Sequence, residues 1–146
     1  MENAFVHGFL IFVIFHNALI GFFVKVLNVT QLERKEIENN PLFFGGKVNT
    51  QSILQEEHKG KNIQVMMVNF APGARNKLHT HTTEQILIVT EGKGIVATQD
   101  KEHIVTPGMI IYVPPNEAHW HGATKDSAFS HISILGHPHE LKILGK

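Results

Sequence analysis

His79 and His81 lie two residues apart, and residues two apart on an extended chain share a face, so both imidazoles can address one ion. After a short bend, Gln85 can join them from the next strand. His119 can arrive from a distant stretch by way of the tight turn in Pro114-Pro115-Asn116. The chain has no cysteine, so any metal must be held by nitrogen and oxygen. Three imidazoles and a carboxamide form a neutral set that leaves the charge of one divalent transition ion undiminished. Such an ion is suited to polarising a hydroxyl, a carbonyl or cyanide, more than to supporting a higher oxidation state. His121 shares a face with His119, and His131 is expected to join it from the last strand; these two are the candidate bases. A nearby dication disfavours a second positive charge and would keep them neutral. One would take the proton of a substrate hydroxyl; bracing a metal ligand or packing the wall is the alternative role. Met66, Val68 and Phe70, spaced by two on the preceding strand, are expected to wall the substrate pocket.

The other members of an unusually large set of 11 histidines are expected to be ordinary surface or core residues. These include His7, His16, His58 and His103. His137 and His139 repeat the His-x-His spacing but flank Pro138 near the chain end, which suggests a loop without metal. Glu84 falls on the opposite face from Gln85 and is expected outside the barrel. Trp120 is expected to face outward.

Positioning these residues requires short strands. From Gln31 onward, runs of β-branched and apolar residues alternate with Gly, Pro and Asn, the pattern of a compact all-β domain. Strands are expected at Ile63 to Phe70, Gln85 to Thr90, Gly94 to Thr98, Ile110 to Val113, His119 to Ala123 and Ala128 to Leu135. Turns fall at Ala71-Pro72-Gly73, Glu91-Gly92-Lys93-Gly94 and Thr106-Pro107-Gly108 as well as at the prolines before His119. Runs such as Ile86 to Val89 are apolar on both faces, which a homo-oligomer, a dimer or tetramer, would cover. The region from Gln31 to Lys61 carries no clear pattern.

The 146 residues suit one domain, and 13 basic side chains balance 13 acidic ones, so no field gathers nucleic acid around the protein. Residues 1–29 differ from the barrel region, 30–146. Ala4 to Val24 contains no charged side chain, and the opening segment holds six of the ten Phe. As a helix, residues 4–24 would reach about 30 Å, enough to anchor a membrane, with Lys25, Arg34 and Lys35 placing the barrel on the cytoplasmic side. A helix packed on the barrel or on a partner subunit, and a start assigned too far upstream, are the alternatives.

Gly73, His79, His81, Gln85 and Gly92, followed by Gly108, Pro114 and His119, resemble the paired motifs of the cupin superfamily. The first motif matches position for position, except that Gln85 stands where an acid is usual. In the second, Asn116 replaces a Gly and Ala123 stands where an Asn is frequent. The resemblance covers roughly Phe43 to Gly136 and implies a double-stranded β-helix, or jelly-roll barrel; it is silent on the N-terminal hydrophobic segment, which its uncharged apolar run alone predicts to be helical. Pro72-Gly73-Ala74-Arg75, His79-Thr80-His81, His119-Trp120-His121-Gly122-Ala123 and His131 are similar to a subgroup of small single-barrel cupins. That subgroup contains manganese-dependent hydroxynitrile lyases and carboxymuconolactone-decarboxylase-associated cupins. It implies metal ligands at His79, His81, Gln85 and His119 and a base at His131, with Mn first and Fe, Zn, Co and Ni as alternatives.

Three functions follow as expectations. The first is a metal-dependent lyase or related acid–base enzyme acting on a small hydroxylated or carbonyl compound. The second is an Fe- or Mn-dependent oxygenase using the same ligands. The third is a non-catalytic small-molecule or metal sensor, which the hydrophobic leader could place at a membrane.

Overall fold

The computed structural model describes residues 26–54 and 62–145. The strands run β1 (Lys35–Glu36), β2 (Phe43–Phe44), β3 (Val48–Ser52), β4 (Ile63–Phe70), β5 (Arg75–Asn76), β6 (His79–His81) and β7 (Gln85–Gly92). They continue with β8 (Gly94–Ala97), β9 (Glu102–Val105), β10 (Ile110–Val113), β11 (Trp120–Ala123), β12 (Phe129–Gly136) and β13 (Leu141–Ile143). Antiparallel pairing arranges them as a six-stranded sheet, β1-β3-β4-β12-β7-β10, and a five-stranded sheet, β2-β5-β11-β8-β9. β13 and β6 form a separate pair. The all-β jelly-roll expectation holds. Residues 4–24 of the expected leader, with His7 and His16, and also His58 lie outside the described residues. Among the described residues no helix is long and apolar enough to cross a membrane.

Period-two patterning explains how the sheets close on each other. Along β7, Gln85, Leu87 and Val89 are buried while Ile86 and Ile88 turn outward; along β12, His131, Ser133 and Leu135 are buried while Ile132 and Ile134 turn outward. Val68, Phe70, Leu87, Val89 and Phe129 from one sheet meet Val96, Val105 and Ala123 from the other, and Ala74 just before β5, in a single core. The outer face of the six-stranded sheet is also apolar. Its cross-strand register aligns Val65, Ile134, Ile86 and Tyr112 in one row and Met67, Ile132, Ile88 and Ile110 in the next. Ile110 is 68% exposed and Tyr112 62% exposed.

Two motif glycines have backbone reasons to be glycine. Gly92, at φ +72°, ends β7 where an added Cβ would stand 1.9 Å from the Ala128 carbonyl oxygen, and Gly108 adopts φ +92° in the turn before β10. Both turns reverse the chain so that strands on either side of the site can return to it.

The expected strands are all present, with boundaries shifted by one or two residues in four of them: β7 runs on to Gly92, β8 ends at Ala97, β12 spans Phe129–Gly136, and β11 begins one residue late. β11 starts at Trp120, and His119 precedes it in an isolated antiparallel bridge to His79. That bridge is made by two hydrogen bonds, His79 N–H to His119 C=O at 2.9 Å and His119 N–H to His79 C=O at 3.0 Å. It links β6 to β11 and sets the two histidines side by side.

Candidate metal centre

The site is built from three segments that the topology brings together. β6 carries His79 and His81 on one face, β7 begins with Gln85, and the bridge before β11 delivers His119. One ring nitrogen from each of His79, His81 and His119 can be chosen so that all lie within 4.8 Å of one another, and all three residues are buried. Nδ1 of His79 lies 2.7 Å from the Lys77 carbonyl oxygen, and Nδ1 of His119 lies 2.9 Å from that of Glu117. A carbonyl only accepts, so each Nδ1 carries the proton and each Nε2 presents a lone pair.

The donors fit a cation. Both ring nitrogens of His81 are buried with no hydrogen-bond partner among the described residues, an arrangement that ordinarily costs stability. Gln85 is 4% exposed; its amide nitrogen donates to Ser133 Oγ at 2.9 Å, and its Oε1 lies 2.9 Å from His119 Nε2. That sets two acceptors against each other, which a shared cation would reward. Donors bound side by side on one ion at about 2.1 Å would lie about 3 Å apart. Glu84, one residue earlier, is exposed and outside the cluster.

Electrostatics keep the cluster neutral. Burial first, and then the neighbouring His119, pushes His79 down to about 4. Burial and then His79, His119 and His139 push His81 down to about 3. Burial also lowers His119. At pH 7 these imidazoles are therefore free bases, the form that ligates metal.

A cavity of about 290 Å³ opens beside the cluster, lined by His79, His81, Gln85, His121 and His131 with Met66, Val68 and Leu135 as apolar wall. Phe70 stands behind this wall, with its ring centroid 5.8 Å from that of His121 and 5.9 Å from that of His131. Burial holds His121 well below its ordinary pKa and His131 down to about 4. Trp120 does face outward, where its ring lies 4.6 Å from the Arg75 guanidinium carbon. His103 is exposed on β9.

Three residues of the site go beyond the sequence expectations. His139 lies on a loop as expected, yet it also lines the cavity, its ring 5.3 Å from that of His81 and its Nδ1 3.1 Å from the Gly136 carbonyl oxygen. The pairing of β13 with β6 brings it there. Ser133 orients Gln85, and its place two residues after His131 is a signal that period-two reasoning could have used. Asn76, buried on β5, touches His121 with both ends of its amide.

The Cupin domain family model matches residues 66–135, a stretch that holds every ligand candidate. Over 68 residues, 46% of this chain and 52% of the relative, the sequence is 41% identical to an (R)-mandelonitrile lyase from Granulicella tundricola. Over 72 residues, 42% of this chain and 38% of the relative, it is 32% identical to auxin-binding protein T85 from Nicotiana tabacum. The chain thus spans about half the length, or less, of these curated relatives. The crystal structure of a cupin-like protein from Thermotoga maritima superposes with a TM-score of 0.72 and 36% identity, covering 80% of this chain and 89% of that one. Identity at that level over nearly all of a solved cupin-like chain, joined to the family match across the ligand-bearing strands, places this protein in the cupin family.

Proposed function

We propose that this cupin is a metal-dependent lyase that cleaves a small α-hydroxy compound, a cyanohydrin or a close analogue, into a carbonyl compound and a released acid. The observation that carries this reading is the pairing, around one small cavity, of a neutral donor set with two further buried, neutral imidazoles. His79, His81, Gln85 and His119 would hold a divalent ion, manganese first and Fe, Zn, Co or Ni as alternatives. Once bound, the ion would supply Lewis acidity that makes a substrate hydroxyl easier to deprotonate and stabilises the oxyanion.

The His121–His131 pair takes the hydroxyl proton. The electrons of the broken O–H bond form the carbonyl, and those of the breaking C–C bond leave with cyanide. The same imidazolium then returns its proton to cyanide as HCN. A base with so low a pKa is weak, which makes the acidified hydroxyl a requirement. Met66 and Val68 pack the apolar substituent, and the cavity volume suits a small molecule. The 41% identical stretch shared with the mandelonitrile lyase supports this substrate class.

A second reading is non-catalytic ligand binding, favoured by the stretch shared with an auxin-binding protein. In either case the apolar outer rows ending in Ile110 and Tyr112 suit self-association. The test is release of benzaldehyde from mandelonitrile by the manganese-loaded full chain. His131→Ala is expected to retain metal and lose turnover. Retention of cyanohydrin without turnover, in fully loaded protein, would replace the lyase with the binding role.

A further inference from the structure

Asn76 is 3% exposed, on the two-residue strand β5 between β2 and β11. Its Oδ1 accepts the His121 backbone N–H at 2.7 Å, and its Nδ2 lies 3.0 Å from His121 Nε2. A backbone N–H can only donate, so the amide has a single orientation, with oxygen toward the backbone and NH₂ toward the ring. An NH₂ group can also only donate, so His121 Nε2 must be a bare acceptor. The proton of neutral His121 therefore sits on Nδ1, which lies 3.3 Å from His131 Nε2. That N–H donates to His131, whose own proton sits on Nδ1, an atom buried without a partner among the described residues. A second proton on His121 Nε2 would meet the Asn76 donor head on.

We infer that Asn76 is a positioning residue that fixes His121 as a hydrogen-bond donor and leaves His131 Nε2 as the one nitrogen of the pair able to accept a substrate proton. The protonation pattern follows from geometry alone, whereas its use in turnover rests on the lyase reading above. His121 then steadies the acceptor in the resting site and its N–H is free to face substrate oxygen when His131 is protonated. The long 3.3 Å contact between the rings is one that a substrate hydroxyl can replace.

The test is long-range proton–nitrogen correlation NMR on the ¹⁵N-labelled full chain, metal-free and loaded with diamagnetic zinc. The wild-type protein should show a proton-bearing Nδ1 and a bare Nε2 at His121, with a bare Nε2 at His131. Asn76→Asp, whose two oxygens both accept, should move the His121 proton to Nε2. A wild-type His121 protonated at Nε2 overturns the inference, whether or not the variant folds or any substrate is turned over. So does a folded variant with the wild-type pattern. In turnover of mandelonitrile, Asn76→Asp should lower kcat by about 10²-fold or more at unchanged metal content, with KM changing far less, as wrong-tautomer variants do. An unchanged kcat despite a reversed tautomer would overturn the positioning role.

Discussion

Replacing His131 with Phe should flatten the acid side of the stability profile. The His131 ring has no exposed surface and lies 5.3 Å from the ring of Phe129 and 5.9 Å from that of Phe70, between centroids. A phenyl ring fits this setting and forfeits one long contact to His121. Burial lowers the His131 pKa from 6.5 to about 4, so between those values the unfolded chain holds a proton that the folded chain does not. Folding is then opposed progressively as pH falls: the contribution is complete above 6.5 and is lost on approach to about 4. At about 1.36 kcal/mol per pKa unit the whole shift corresponds to about 3 kcal/mol. Phe has no such titration. Urea unfolding of metal-free protein at about pH 7.5 and about pH 4.5 should therefore show the variant losing about 2 to 3 kcal/mol less than the wild type. The other histidines are common to both proteins and largely cancel in the difference, except His121, which His131 helps to hold down; its relief in the variant acts in the same direction. Equal losses in the two would mean that His131 is solvated or already charged in the fold, and would remove the neutral proton acceptor from the site.

Gln85→Ala should lower metal affinity by about tenfold or more while Glu84→Ala leaves it unchanged, read by competition with a chelating dye. Equal losses would put the strand register in error. Ser133→Ala, which removes the acceptor of the Gln85 amide at 2.9 Å, should weaken binding by about tenfold with the fold intact. Gly122→Ala should destabilise the protein by at least about 2 kcal/mol in the same urea assay, because its Cβ would stand 2.3 Å from Arg75 Cβ and 2.5 Å from the Ala74 carbonyl oxygen.

The strands between Ile63 and Leu135 are legible because each is long enough to show alternation and is bounded by Gly or Pro. The candidate ligand set is legible because His79, His81 and Gln85 sit at intervals that a strand, a bend and a second strand can reconcile. Where the sequence is silent, the reason is length. β1 and β2 have two residues each, too few to carry a period, and their existence depends on β3 and β5 as pairing partners. β13 is likewise a short strand set by its partner, and without its pairing to β6 nothing in the sequence brings His139 to the cavity. Asn76 precedes His79 by three residues and has no spacing relation to His121; only the register of β5 against β11 makes them neighbours. Phe70 shares a face with Met66 and Val68 as alternation requires, but lies far enough along β4 to back the histidines instead of lining the cavity.

The central claim is that His79, His81, Gln85 and His119 hold one divalent ion. Elemental analysis by plasma mass spectrometry on protein purified without a histidine tag tests it most directly, beside a His79→Ala/His119→Ala control. The expected result is about one Mn, Fe, Co, Ni or Zn per chain in the wild type and none in the control. Absence of metal from the wild type even after reconstitution, or equal metal in both proteins, would contradict it.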